Sequence, residues 1–179
     1  MKFLAISGSA RRASTNTAML YALQSVAGSM HQISVYDRVG ELPVFSPDLE
    51  QDPPLEVEAL ARAIVDADGL ILASPEYIRS IPGGLKNAID WLVSRNEVIG
   101  KPIVLAHASH RGNDMLHQLR IILATLSDRF NEDLFLRLPL MKLSPDEVAA
   151  HLSAPRHQEE MRRFLDDFAN YCAPAVRLP

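Results

Sequence analysis

Residues 69–91 read GLILA, SPEYIRSIPG, GLKNAIDW. The first five residues are apolar without interruption, as in a strand buried on both faces of a sheet. The next ten carry Pro75, Pro82 and Gly83 around a polar centre, which is loop composition. From Leu85 a helix is predicted over Leu85–Ser94, with Leu85, Ile89 and Trp91 expected to bury against a core or a partner subunit. Strand, rigid loop and helix in that order are half of a βαβ unit, and that unit decides the fold.

The same pattern recurs outward in both directions. Lys2–Ile6 is a buried strand, followed by a helix over Ser14–Ala27 in which Ala18, Leu20, Tyr21, Leu23 and Val26 are the apolar positions. Ile33–Tyr36 is a short second strand. Glu56–Ala67 predicts a helix with Leu60, Ile64 and Ala67 on one face. Ile103–His107 is a fourth strand, Asn113–Leu126 a helix and Asp133–Arg137 a short fifth strand. Glu159–Tyr171 is a closing helix with Met161, Phe164, Leu165 and Phe168 turned inward. Apolar strands alternating with amphipathic helices imply right-handed crossovers and a parallel sheet between helix layers. The Pro- and Asp-rich stretch 40–54 reads as a long loop, functional or merely connecting.

Bulk properties narrow the function. A chain of 179 residues, 47% hydrophobic, fits a single domain over residues 1–179. The formal charge of −4 gives no electrostatic case for a nucleic-acid or membrane surface. A single cysteine, Cys172, excludes an internal disulfide framework and is expected to be a buried thiol. The apolar run at the start is too short for a signal peptide, and a soluble, cytoplasmic protein is expected. The histidines show no helical metal-ligand spacing, so no metal is expected.

Ligands of such sheets bind outside the carboxyl ends of the strands, where the strand order reverses. Three loops meet that condition, after Ile6, after Ala73 and after His107. The first reads Ser7-Gly8-Ser9-Ala10-Arg11-Arg12-Ala13-Ser14-Thr15-Asn16 and runs into a helix. Backbone N–H groups and the positive dipole end favour an anion there. Ser9, Ser14 and Asn16 can donate further hydrogen bonds, and Arg11 or Arg12 a charge-assisted one. The loop lacks the lysine of a triphosphate loop and the glycines of a dinucleotide fingerprint, so one phosphate monoester suits it. Helix capping by Ser14 or Thr15 beside two solvated arginines is the other reading of the same residues.

The second loop, Ser74–Gly84, is held by prolines on either side of Glu76–Ile81 and can present N–H and C=O groups at fixed points to a flat heterocycle. Tyr77 adds an aromatic face or a hydroxyl. Trp91 reads as core or interface packing, and Glu76 has no carboxylate partner that would make it a catalytic acid.

Together these residues resemble the NAD(P)H-dependent FMN reductases, flavodoxin-like quinone, chromate and azo-dye reductases. The likeness is carried by G-S-x-R-x-x-S-x-N, here Gly8–Asn16, and by P-E-Y-x-x-S-x-P-G-x-L-K-N-A-I-D-W, here Pro75–Trp91. It extends to about residue 130. It implies a three-layer α/β sandwich with a five-stranded parallel sheet in the order 2-1-3-4-5. It implies that Ser9, Arg11, Ser14, Thr15 and Asn16 contact an FMN phosphate, and that Pro75, Glu76, Tyr77 and Ile78 lie along the flavin ring, mainly through backbone atoms. Ser109, in the third loop, would flank the ring and ribityl chain. The chemistry implied is hydride transfer from NADPH or NADH to the flavin and on to a small-molecule acceptor, in a homodimer or homotetramer. No side chain is expected to act as a nucleophile or acid.

Two departures stand out. The position of Ile78 is usually Asn in the family. The third loop, His107-Ala108-Ser109-His110-Arg111-Gly112-Asn113-Asp114, is charged where the family is rich in glycine. His110 or Arg111 would touch the flavin or a nicotinamide phosphate, or form an ordinary polar loop. A flavin-binding electron carrier or redox sensor, and an interaction module that has lost FMN, are the competing readings.

Overall fold

The computed structural model describes residues 1–173. Five strands form one parallel sheet: β1 (Lys2–Ser7), β2 (Gln32–Tyr36), β3 (Gly69–Ala73), β4 (Ile103–His107) and β5 (Phe130–Arg137). Their order is β2-β1-β3-β4-β5, as expected. Six helices connect or cover them: α1 (Thr15–Ala27), α2 (Leu55–Val65), α3 (Gly83–Asp90), α4 (Asn113–Leu126), α5 (Pro145–Leu152) and α6 (Pro155–Cys172).

The side-chain alternation of the strands divides the core in two. Phe3, Ala5, Ile71, Ala73, Val104 and Ala106 face one layer, where Met19, Leu23, Val148, Met161 and Phe168 of α1, α5 and α6 cover them. Leu4, Ile6, Leu70, Leu72, Ile103 and Leu105 face the other, under Leu60, Ile64, Leu85, Ile89, Leu116 and Leu119 of α2, α3 and α4. Both faces being covered explains why the inner strands carry no polar alternation. Cys172 is buried, and loss of hydration pushes its thiol up to about 12.

Some boundaries differ from those predicted, each for a local reason. The third helix ends at Asp90, not Ser94. Beyond it the chain tightens into i→i−3 hydrogen bonds, Val93 N–H to Asp90 O and Arg95 N–H to Leu92 O. The last strand begins at Phe130, three residues early. Asn131 Oδ1 there accepts from the N–H groups of Asp133 and Leu134. The register slips between Ile103 and Leu105 to absorb the extra residues, so the polar stretch Asn131–Asp133 hides the strand's start. Helix α5 is absent from the predicted pattern because its two buried positions, Val148 and Leu152, are too few to show a period. Its capping box was legible nonetheless: Ser144 Oγ accepts from Glu147 N–H and the Glu147 carboxylate accepts from Ser144 N–H.

The loop 40–54 is fastened to α3. Asn87 Oδ1 accepts from Phe45 N–H at 2.8 Å, and its Nδ2 donates to Pro43 O at 2.9 Å. Trp91 Nε1 donates to the same carbonyl at 2.8 Å, and the Phe45 ring meets the indole edge-on. Trp91 is 2% exposed, so it serves the core.

Candidate functional site

Strand order reverses between β1 and β3, and the loops that follow these strands leave side by side. Gly8 N–H donates to Ala73 O at 2.7 Å, stitching the first loop to the end of β3. A Cβ at Gly8 would stand 2.7 Å from Leu85 Cδ2 and 3.0 Å from Ser74 Oγ, so the close approach of the two loops requires glycine.

The first loop folds on its own hydroxyls. Ser9 N–H donates to Ser7 Oγ at 3.3 Å, and Arg11 N–H to Ser9 Oγ at 3.2 Å. Ser14 caps α1, its Oγ accepting from Thr17 N–H. Ser9, Ser14 and Asn16 are buried, whereas Arg11 and Arg12 are exposed and form no ion pair among the described residues. The first turn of α1 has no acidic residue, in contrast to α2, α4 and α5. The N–H groups at the start of α1 thus keep an uncompensated positive end.

In the second loop Tyr77 and Ser80 exchange both backbone hydrogen bonds at 3.0 Å. The two residues between them, Ile78 and Arg79, have φ of 51° and 59°. This is the φ pattern of a type I′ turn, usually built from Asn and Gly. Ile78 is 99% exposed at its tip, and Tyr77 has spent its backbone N–H on Ser80. Arg79 Nε donates to Asp114 at 2.6 Å, an exposed pair that draws the Asp114 carboxyl below its usual range. The Glu76 carboxylate accepts from Met115 N–H at 3.3 Å and so caps α4, where Gly112 has no side chain to do it. This is a role that the sequence did not reveal.

The third loop is held from outside. Asn16 Oδ1 accepts from Ala108 N–H at 3.2 Å, tying the start of α1 to it and leaving Nδ2 as the donor. Ser109 Oγ accepts from Arg111 N–H at 2.9 Å. Arg137, at the end of β5, donates through Nε to Ser109 O at 2.7 Å and through Nη2 to Arg111 O at 2.9 Å. His107 and Arg137 were missed as shaping residues. The signal was there for His107, a polar residue closing an apolar strand; Arg137 closes the half-polar β5 and carried none.

The three loops enclose one cleft of about 270 Å³, lined by Thr15, Asn16, Pro75, Glu76, His107 and Ser109 among others. Of the expected site residues, Thr15, Asn16, Pro75, Glu76 and Ser109 therefore meet in one place. Ser9, Arg11 and Ser14 sit in the adjoining first loop, while Tyr77 and Ile78 form the turn outside the cleft.

A parallel sheet with its switch-point loops around such a cleft, beside an uncompensated helix start, defines a flavodoxin-like, mononucleotide-binding class of protein. The sequence profile of the NADPH-dependent FMN reductases matches residues 1–130, and the chain belongs to that family. It is 33% identical over 183 residues to a 2-hydroxy-1,4-benzoquinone reductase of Burkholderia sp., across 99% of this chain and 97% of that one. It is 34% identical over 113 residues to a quinone reductase of Escherichia coli K12; that alignment covers 61% of this chain and 60% of the relative. The fold is shared with the flavoenzyme NAD(P)H:(acceptor) oxidoreductase FerB from Paracoccus denitrificans, at a TM-score of 0.72 and 24% identity over 95% of this chain and 98% of the other.

Proposed function

We propose that this chain is an NAD(P)H-dependent, FMN-containing oxidoreductase that reduces quinones or similar small acceptors. The observation that carries the reading is the convergence of the three switch-point loops on one cleft next to the start of α1, whose first turn has no acidic residue. Family membership and the quinone reductases among the relatives support it.

The residues fit FMN. At the phosphate end, the N–H groups of Thr15 and Asn16, the Asn16 Nδ2, the hydroxyls of Ser9 and Ser14 and the Arg11 guanidinium are the donors an oxyanion requires. At the ring end, Pro75 and Glu76 form one wall of the cleft and Ser109 another, with the Tyr77–Ile78 turn at the rim. FMN, when bound, supplies the two-electron chemistry between NAD(P)H and the acceptor. The protein binds, orients and partly encloses it. Glu76 is engaged in capping α4 and is not free as a proton donor.

The chain, residues 1–179, acts in this reading as a single FMN-binding domain, in the cytoplasm and as a homodimer or homotetramer. Among the described residues no helix is long and apolar enough to cross a membrane. An apolar groove beside α3 and α4 supports assembly, because Val93, Ile99 and Ile121 stand 70%, 65% and 57% exposed along it. Light scattering on the purified chain should return about two or four times 19.8 kDa; a monomer would overturn the assembly.

The activity is tested by titrating FMN into the purified chain while following flavin fluorescence, then mixing the loaded protein rapidly with NADPH or NADH, with and without a quinone. Rapid bleaching and sustained turnover are expected. Binding without bleaching would make it an electron carrier instead, and failure to bind FMN would overturn the proposal. Arg11→Ala should weaken FMN binding about tenfold through loss of a charge-assisted hydrogen bond, and unchanged affinity would remove Arg11 from the phosphate site.

A further inference from the structure

Strand β4 is apolar except at its last residue. His107 is 1% exposed and held between two carbonyl groups. Its Nδ1 lies 3.1 Å from Ser74 O, and its Nε2 lies 2.7 Å from Arg111 O. Ser74 opens the second loop and Arg111 belongs to the third. The ring therefore spans the two loops that wall the cleft, and it lines the cleft itself.

A neutral imidazole carries one N–H. It can donate to one of these carbonyls, and at the other its lone pair faces the lone pairs of the oxygen. Only the imidazolium donates to both. The surroundings keep the ring in this position. Arg111 O also accepts from Arg137 Nη2, which further donates to Asn113 Oδ1 at 3.0 Å. Gly112, at φ +91°, leaves room for the ring, since a Cβ there would stand 2.8 Å from His107 Nε2. In this chain the third loop is shaped by cationic donors on its carbonyls rather than by a run of glycines.

We propose that His107 is a positioning residue of the flavin site: a latch between the second and third loops that closes fully by taking up a proton when FMN binds. This rests on the FMN reading above. Burial holds the ring of the free protein below the usual imidazole range, against the pull of the two carbonyls. Arg137, from β5, also opposes the charge, and Glu76, from the second loop, favours it. A bound anion in the cleft adds to the favouring side. The proton comes from solvent and forms an N–H bond at the nitrogen that held the lone pair. The ring then donates to both carbonyls, and the two loops are fixed relative to each other.

The test is calorimetric titration of FMN at pH 7 in buffers of different ionisation enthalpy, which counts the protons exchanged per FMN. The native protein should take up about half a proton or more beyond His107→Gln, and the phosphate's own proton exchange cancels in that difference. Binding with the same count in both proteins overturns the latch alone. No FMN binding by the native protein at any pH overturns the cofactor reading and the latch with it. A second measurement needs no variant: imidazole ring-nitrogen NMR of the native protein at pH 7. One ring should be neutral in the free protein and carry N–H on both nitrogens in the complex. No ring changing from neutral to doubly protonated on binding overturns the proposal.

Discussion

Ile78 adopts a backbone conformation that L-residues avoid, and β-branched residues most of all. Its φ of 51° is imposed by the two hydrogen bonds between Tyr77 and Ser80, with only two residues to complete the reversal. No burial compensates, since the side chain is 99% exposed. Left-handed backbone at a residue with a Cβ costs about 1–2 kcal/mol. Asn tolerates this conformation better, through local hydrogen bonds of its side chain. Ile78→Asn should therefore stabilise the protein by about 1 kcal/mol and raise the melting temperature by a few degrees. Calorimetry of the two proteins decides it, and an unchanged or lower midpoint would show that the turn is not strained. The same residue limits what the sequence could reveal. Position 78 could be seen to differ from its family, but the positive φ arises from a pairing between residues three apart, which composition does not encode.

At the scale of elements, α3 both closes one side of the sheet and holds the loop 40–54. Leu85, Ala88 and Ile89 face the sheet, while Asn87 and Trp91 reach the loop through its backbone at Leu42, Pro43 and Phe45. Removing the Asn87 amide leaves the part-buried Phe45 N–H without its partner and Pro43 O with Trp91 Nε1 alone, at a cost of roughly 1–3 kcal/mol. Asn87→Ala should lower stability by about that amount and raise amide exchange over residues 42–47 while β1 and β3 stay protected. Uniform exchange across the chain would show that the loop has no separate anchorage. Elements with a clean period were legible: β3, β4 and α4 begin and end where the sequence put them. Those set by non-local contact were not. β5 starts early because Asn131 organises a bulge, and α3 stops early where the chain tightens and Trp91 turns to a carbonyl 48 residues away. The candidate site divides in the same way. Gly8–Asn16 and Pro75–Trp91 could be quoted from the sequence, whereas the capping of α4 by Glu76 and the clamp of His107 and Arg137 exist only once three strands lie side by side.

Across the whole molecule the titrating groups set how stability responds to acid. His107 and His157 both sit below the usual imidazole range, chiefly through burial. Arg137 adds to this at His107, and Arg156 and His151 add to it at His157. Each folded pKa lies below its unfolded value, so just under pH 6.5 the unfolded chain binds more protons than the folded one. Stability then falls as pH falls through that window. The Arg95 guanidinium holds the Glu97 carboxyl below its usual range, and the Ser144 backbone and hydroxyl do the same for Glu147. These carboxylates contribute stability above their unfolded pKa that is lost at lower pH, below the histidine window. The free protein should therefore lose stability in two stages, first between about pH 7 and 5 and again below about pH 4.5. Urea unfolding at half-unit steps of pH measures both. His107→Gln should flatten the first stage by at most about 1.4 kcal/mol per pH unit, the contribution of one proton, leaving the second stage in place. A first stage as steep in the variant as in the native protein would mean that His107 does not titrate differently on folding. Saturating FMN should also make the native first stage shallower, because His107 that holds its proton in the complex no longer binds fewer protons folded than unfolded. That effect should vanish in His107→Gln, so stability against pH reports the proton that calorimetry counts, by an independent route.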